Sequence, residues 1–160
     1  MARKVFVAAT GQNSGKTTTS LSLMYMARKK YKRVGFIKPF GPKPSIARNG
    51  MVVDKDAALM AEVFDLEKDL PLMSPLVLHP GDTQKYLEGE LSGVEMERKM
   101  FHAIDELDRK NDFLIIEGAG HTGVGSVLGF SNARVAKIAD APVVMVTGGG
   151  VGNVVDSAYM

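Results

Sequence analysis

Gly15-Lys16-Thr17-Thr18 follows Thr10-Gly11-Gln12-Asn13-Ser14, and Val5-Phe6-Val7-Ala8-Ala9 stands directly before them. The apolar run reads as a buried strand, and the residues after Lys16 read as a helix. A strand that turns through a glycine-bearing loop straight into a helix aims backbone N–H groups and the positive end of a helix dipole at one point. That arrangement suits a phosphate. Thr10 to Thr18 (Thr10, Gly11, Gln12, Asn13, Ser14, Gly15, Lys16, Thr17, Thr18) therefore form the expected nucleotide-binding segment. Within it, Lys16 would act catalytically on the outer phosphates, and the Thr17 hydroxyl would hold Mg²⁺. The common spacing G-x-x-x-x-G-K-[ST] is broken once, because Thr10 stands where glycine is usual and Gly11 is its neighbour. The loop is expected to take a slightly different path for that reason.

Further groups fall at strand ends or in loops where they could join Lys16 and Thr17. Glu117 closes the apolar run Phe113-Leu114-Ile115-Ile116 and is followed at once by Gly118-Ala119-Gly120. An acid in that position coordinates metal in P-loop NTPases; the alternative is a strand-end acid satisfied by the amides of the next loop. Asp54 and Asp56 flank a helix start, where one is expected to cap and the other to face the metal. Lys38 ends Arg33-Val34-Gly35-Phe36-Ile37 and could hold a substrate carboxylate or a transferring phosphoryl group; the plain alternative is a solvent-exposed lysine. The glycine-rich stretch Gly118, Ala119, Gly120, His121, Thr122 is the candidate substrate loop. His121 suits acid–base chemistry or a bond to backbone. His79 and His102 show no ligand spacing, which argues against zinc.

These residues need a frame. At 160 residues the chain reads as one domain, 1–160, and its 45% hydrophobic and 24% charged residues fit a soluble globular core. The formal net charge of +2 is too balanced to suggest nucleic acid. The basic run Arg28-Lys29-Lys30-Tyr31-Lys32-Arg33 reads as the solvated end of the first helix. The absence of cysteine excludes disulfides and thiolate metal sites. No apolar run approaches the ~20 residues of a membrane span, so a cytoplasmic protein without membrane partners is expected.

Strands are expected at 3–9, 33–38, 113–117 and 142–147, a short element at 75–78, and helices at 16–31, from 54 or 55 onward, at 93–110 and around 131–139. Residues 39–53, with three prolines and two glycines, are expected as one long loop. Methionines spaced three or four apart, Met96 and Met100 among them, read as core filler. Strands that are apolar throughout imply a mostly parallel sheet covered on both faces, a doubly wound α/β fold with ligands at the strands' C-terminal ends. The last segment, Val151 to Met160, reads as an apolar helix start without a polar close. A domain incomplete at its C-terminus, or a sheet completed by another subunit, is the expectation.

Thr10–Thr17, Gly35-Phe36-Ile37-Lys38-Pro39, Asp54-Lys55-Asp56-Ala57 and Ile116-Glu117-Gly118-Ala119-Gly120 together resemble the P-loop group of dethiobiotin synthetase and cobyrinate a,c-diamide synthase. The resemblance implies ATP and Mg²⁺ as cofactors. It places Lys16 and Thr17 on phosphate and metal, Asp56 and Glu117 on metal, and Lys38 on a carbamate or carboxylate. The implied chemistry is phosphorylation of that group to a mixed anhydride. Val53-Asp54-Lys55-Asp56, Gly81-Asp82-Thr83-Gln84-Lys85-Tyr86-Leu87 and Glu117 to Val127 also resemble the dethiobiotin-synthetase-like domain of some phosphotransacetylases and of standalone proteins with a DRTGG-motif domain. That likeness implies a fused or partner domain, or a homodimer, and leaves a nucleotide-sensing regulatory domain as the alternative to a ligase-type enzyme. Phe40-Gly41-Pro42-Lys43-Pro44 replaces the small hydroxylated substrate loop of true dethiobiotin synthetases, so the biotin-pathway substrate does not carry over. Gly11 likewise lacks the lysine that ATPases of the chromosome-partitioning type carry there.

Overall fold

A computed structural model describes residues 1–121 and 125–159. In chain order the elements are β1 (Arg3–Ala9), α1 (Lys16–Arg28), β2 (Val34–Ile37), β3 (Pro44–Ile46), β4 (Val52–Asp54) and α2 (Lys55–Phe64). After these come α3 (Leu70–Met73), α4 (Asp82–Leu87), α5 (Gly93–Lys110), β5 (Phe113–Glu117), α6 (Asn132–Ala139), β6 (Val143–Val146) and α7 (Val151–Tyr159). β2, β5, β1 and β6 lie in that order in one four-stranded sheet, and every pairing in it is parallel.

Parallel strands need crossovers, and the crossover helices cover the sheet on both sides. Val7, Phe36 and Ile115 point to one side and pack with Met24 of α1 and with Met60 and Phe64 of α2. Phe6, Ile37, Leu114 and Ile116 point to the other and meet Met100, Ile104 and Leu107 of α5 and Val135 of α6. Met100 is fully buried and Met96 partly so, as their spacing indicates, and Met24, Met60 and Met73 are fully buried too. The doubly wound α/β reading therefore holds.

Full coverage does not extend to β6. Val143, Val144 and Met145 are 49%, 42% and 44% exposed, because β6 is an edge strand paired on one side only. Val151, Val155 and Tyr159 of α7 are exposed as well. The sequence pattern marks a strand as fit for burial on two faces, but it does not supply the neighbours. A matched pair of substitutions measures the contrast. Ile115→Val should cost about 0.5–1.5 kcal/mol in urea denaturation, whereas Val144→Thr should stay within about 0.5 kcal/mol of the parent. Equal losses would contradict this distribution of the core.

Three local expectations are corrected. Residues 39–53 are not one loop, because β3 and β4 pair antiparallel with Ser45 opposite Val53. Pro44 is tolerated as the first residue of its strand, and Asn49-Gly50 between the two strands is the hairpin signal that marks the turn. The first helix stops at Arg28 and not at 31: the amides of Lys30 and Tyr31 both close on the Ala27 carbonyl, and Tyr31 stacks on Phe113 with ring centroids 5.1 Å apart. A helix outside the expected set, α4, begins at Asp82, and its first turn is fixed by the Asp82 carboxylate accepting from the His79 amide at 2.8 Å. Among the described residues, no helix is long and apolar enough to cross a membrane.

Candidate functional site

The first β–α junction sets the site. Gly15 takes φ +92°, a left-handed conformation that glycine adopts freely, and α1 begins at the next residue. Asn13 is left-handed too, at φ 60°, and asparagine tolerates this better than most residues. The Thr10 amide donates to the Val146 carbonyl at 3.1 Å, which ties the start of the loop to β6. A cavity of about 260 Å³ opens beside this turn. Gln12, Asn13, Gly15, Lys16, Thr17 and Thr18 line it from the loop; Lys38, Pro42, Lys43, Asp54, Asp56 and Gly120 line it from elsewhere. Thr10, Gly11 and Ser14 belong to the loop without lining the cavity.

Sheet register brings the charged groups together. Ile37 of β2 lies beside Ile116 of β5, so one residue further on Lys38 and Glu117 are neighbours across the ladder. The Lys38 ammonium sits 2.7 Å from Glu117 Oε1 and 2.7 Å from Asp56 Oδ2, and only 3% of Lys38 is exposed. Thr17 Oγ1 reaches Glu117 Oε1 at 3.4 Å, and the Lys16 ammonium donates to the Gly120 carbonyl. Lys16, Thr17, Lys38, Asp56 and Glu117 thus converge from four segments. Lys38 does not stand at an exposed rim but is a buried cation between two acids.

Asp54 and Asp56 divide their work. Asp54 Oδ1 accepts from the Asp56 amide at 2.9 Å and caps α2, while Oδ2 accepts from the Lys43 amide at 3.2 Å. Its own amide donates to the Ser74 hydroxyl at 2.8 Å. Asp56 is left to face Lys38.

Burial would lower the Lys38 pKa, but the carboxylates of Glu117, Asp56 and Asp54 outweigh it and hold the ammonium above the ordinary lysine value. Burial pushes the Glu117 carboxyl up against the pull of Lys38. Burial acts the same way on Asp56, yet there the Lys38 charge and its hydrogen bond prevail and hold the carboxyl low. Lys16 is lowered by burial and then by the Lys38 charge, with Glu117 and Asp56 opposing.

The oxygen chemistry fits a small hard cation. Glu117 Oε2 and the Ser20 hydroxyl oxygen are buried without a hydrogen-bond partner among the described residues. Such an oxygen is costly unless something meets it. No group of three or more Asp, Glu or His among the described residues could hold a metal alone. Asp56, Glu117 and Thr17 could offer two carboxylates and a hydroxyl, and a Mg²⁺ ion there would draw its other ligands from phosphate and water.

Asn132, which nothing local in the sequence singles out, clamps the second glycine-rich loop. Its side chain accepts from the Ala119 amide at 2.9 Å and donates to the carbonyls of Ala119 at 2.9 Å and His121 at 3.0 Å. Gly118 makes room for it, since a Cβ there would come within 2.6 Å of Asn132 Oδ1. Gly120 reaches the cavity, Gly118 and Ala119 lie buried at the clamp, His121 is exposed, and Thr122 lies outside the described residues. Asn132→Ala should lower stability by about 1–3 kcal/mol, as expected for an abandoned buried donor and acceptor, and should speed hydrogen exchange at the Ala119 amide. Unchanged protection of that amide would remove Asn132 from this role.

Known proteins share this architecture. A family model described as an AAA domain, AAA_26, matches residues 3–160. The ATP-dependent dethiobiotin synthetase BioD of Methanocaldococcus jannaschii is 30% identical over 120 residues, covering 72% of this chain and 52% of that protein. The BioD of Idiomarina loihiensis is 26% identical over 145 residues, covering 89% and 64%. The BioD of Thermodesulfovibrio yellowstonii is 23% identical over 116 residues, covering 72% and 48%. The chain spans about half to two thirds of the length of these curated relatives. The crystal structure of the chimerical protein CapA2B2 superposes with a TM-score of 0.56 at 16% identity, over 99% of this chain and 70% of that one, and so shares the fold. Motifs, fold and family match agree: this chain belongs to the AAA_26 family, as a nucleotide-binding P-loop protein of the dethiobiotin-synthetase-like kind.

Proposed function

We propose that the protein binds ATP with Mg²⁺ and transfers the γ-phosphoryl group to a small carboxylate or carbamate. The observation that carries this reading is the convergence of Lys16, Thr17, Lys38, Asp56 and Glu117 at the end of one parallel sheet, beside the phosphate-binding turn. The amides of the turn and the Lys16 ammonium would bind the phosphates, and Thr17, Asp56 and Glu117 would hold Mg²⁺, which supplies charge neutralisation when bound. The Lys38 ammonium, the buried cation nearest both acids, would orient the acceptor carboxylate. An acceptor oxygen forms a bond to the γ-phosphorus while the bond to the β–γ bridging oxygen breaks, its electron pair leaving on ADP. The product is an acyl or carbamic phosphate anhydride.

A panel of short carboxylates tests this, with ADP release measured and hydroxylamine added to trap an activated acyl group as hydroxamate. Carboxylate-dependent ADP and hydroxamate are expected, and Mg-ATP should raise the melting temperature, as a ligand held far above its Kd does. Stabilisation by Mg-ATP without ADP release under any carboxylate would instead favour a nucleotide-sensing regulatory domain. The apolar residues exposed along β6 and α7, next to the loop that Thr10 ties down, are the observation on that side.

A further inference from the structure

We infer that Ser20 is a positioning residue of the site, its hydroxyl donating to Glu117 Oε2 so that Glu117 Oε1 is held toward Thr17 and a bound Mg²⁺. The inference rests on the Mg-nucleotide reading of the site. It adds to that reading a side chain that touches neither nucleotide nor metal and acts through Glu117.

Ser20 and Glu117 are both 0% exposed, although 97 positions of chain separate them. Among the described residues, Ser20 Oγ and Glu117 Oε2 are the buried side-chain oxygens that meet no hydrogen-bond partner, and both lie behind the phosphate-binding turn. Thr17 and Ser20 stand three apart on α1, so they share a helix face. α1 packs on β5, and Thr17 Oγ1 reaches Glu117 Oε1 at 3.4 Å. The Lys38 ammonium holds the same Oε1 at 2.7 Å. One oxygen of the carboxylate thus has two partners, and the other has none.

A serine inside a helix commonly turns its hydroxyl back to the carbonyl four residues earlier. Ser22 does this, donating to the Thr18 carbonyl at 3.0 Å. Ser20, two positions before it, makes no such bond, so its hydroxyl is not occupied by its own helix. It lies near enough to Glu117 to draw that carboxyl down against the effect of burial. Hydrogen bonds within a site are often long until the ligand is in place, and then tighten. Closing this one satisfies two costly buried oxygens together. A carboxylate gripped at Oε1 alone can turn about that point, whereas a second bond at Oε2 fixes its plane. Carboxylates that ligate a metal are commonly held by an outer hydrogen bond of this kind.

The test uses Mn²⁺ as the probe, with its binding to the AMPPNP-saturated protein followed by electron paramagnetic resonance. Calorimetry in EDTA measures the affinity for AMPPNP without metal. Removing a buried hydroxyl that no partner meets should not cost stability, so Ser20→Ala is expected to fold as the parent does. Its Mn²⁺ affinity should fall about tenfold or more, the usual loss for the outer partner of a metal ligand. Its AMPPNP affinity in EDTA should stay that of the parent. Ser20→Cys, close in volume but a weak donor, should lose Mn²⁺ affinity in the same way, and Ser20→Thr, which keeps the hydroxyl, should retain most of it. Full Mn²⁺ affinity in Ser20→Ala, or a loss shared equally by AMPPNP in EDTA, overturns the inference alone. A parent that binds AMPPNP but takes up no Mn²⁺ with it overturns the metal reading and the inference. A parent that binds no AMPPNP overturns the nucleotide reading with both.

Discussion

Lys16→Ala should lower the affinity for Mg-ATP by about 100-fold or more, the loss of two charge-assisted contacts to phosphate in a site sheltered from water. Calorimetry with Mg-ATP, or with Mg-AMPPNP to prevent turnover, measures it. The ligand-free protein should hardly notice. Burial and the Lys38 charge already disfavour the Lys16 ammonium, so its removal relieves one unfavourable charge while losing the bond to the Gly120 carbonyl. The melting temperature should therefore stay close to the parent's while the nucleotide-induced shift disappears. A variant with undiminished affinity would show that this turn is not where the nucleotide binds, and the proposed chemistry would go with it.

Lys38→Met should have the opposite profile, with a large effect on the empty protein. Its ammonium is the shared partner of Asp56 and Glu117, and Glu117 is fully buried. Removing one partner of a buried ion pair costs about 3–5 kcal/mol, because the remaining charge stays in a poorly solvating interior. Urea denaturation should record a loss of that order at pH 8. Glu117 has a route of escape, since burial already pushes its pKa above the ordinary carboxylate value and the loss of Lys38 pushes it further. An acid with a raised folded pKa adds stability that is present at low pH and lost as pH rises through that value. The deficit against the parent should therefore shrink at pH 5 and widen toward pH 8. On the proposed reading, Mg²⁺ with nucleotide restores a cation between the same two acids and recovers part of the loss. A deficit independent of both pH and Mg²⁺ would mean that Lys38 contributes through packing, not through its charge.

This second result separates the structural role of Lys38 from the one the proposed function gives it. Its ammonium is the counter-ion that lets two acids converge; on the proposed reading it also orients an acceptor once nucleotide is bound. An exposed lysine at a rim could do the second without the first. On the proposed reading, the burial of Lys38 couples the stability of the site to its chemistry.

How much of this was legible beforehand follows from the range over which each signal acts. The phosphate-binding turn is a contiguous stretch whose backbone path is written in its own residues: an apolar strand, glycine at the left-handed position 15, and a helix opening on Lys16. The same holds for Phe113–Glu117, whose uninterrupted apolar run marks a strand buried on two faces and ends on an acid. Even the hairpin at 44–54, read as a loop, carried Asn49-Gly50 as a local mark. These features belong to the sequence because neighbouring residues suffice to impose them.

The pairing of Lys38 with Glu117 spans 79 positions, and no local rule contains it. It exists because β2 lies next to β5, with Ile37 beside Ile116, and a slip of one residue would turn these side chains to the opposite face. Which of Asp54 and Asp56 caps the helix and which faces the cation was likewise settled by the approach of Lys43 and Ser74. The clamp by Asn132 arises the same way. Sequence alone determined the parts that bend the backbone toward a phosphate. Only the tertiary structure decided which charges meet there, because strand order and register, not chain proximity, set the distances over which charges act.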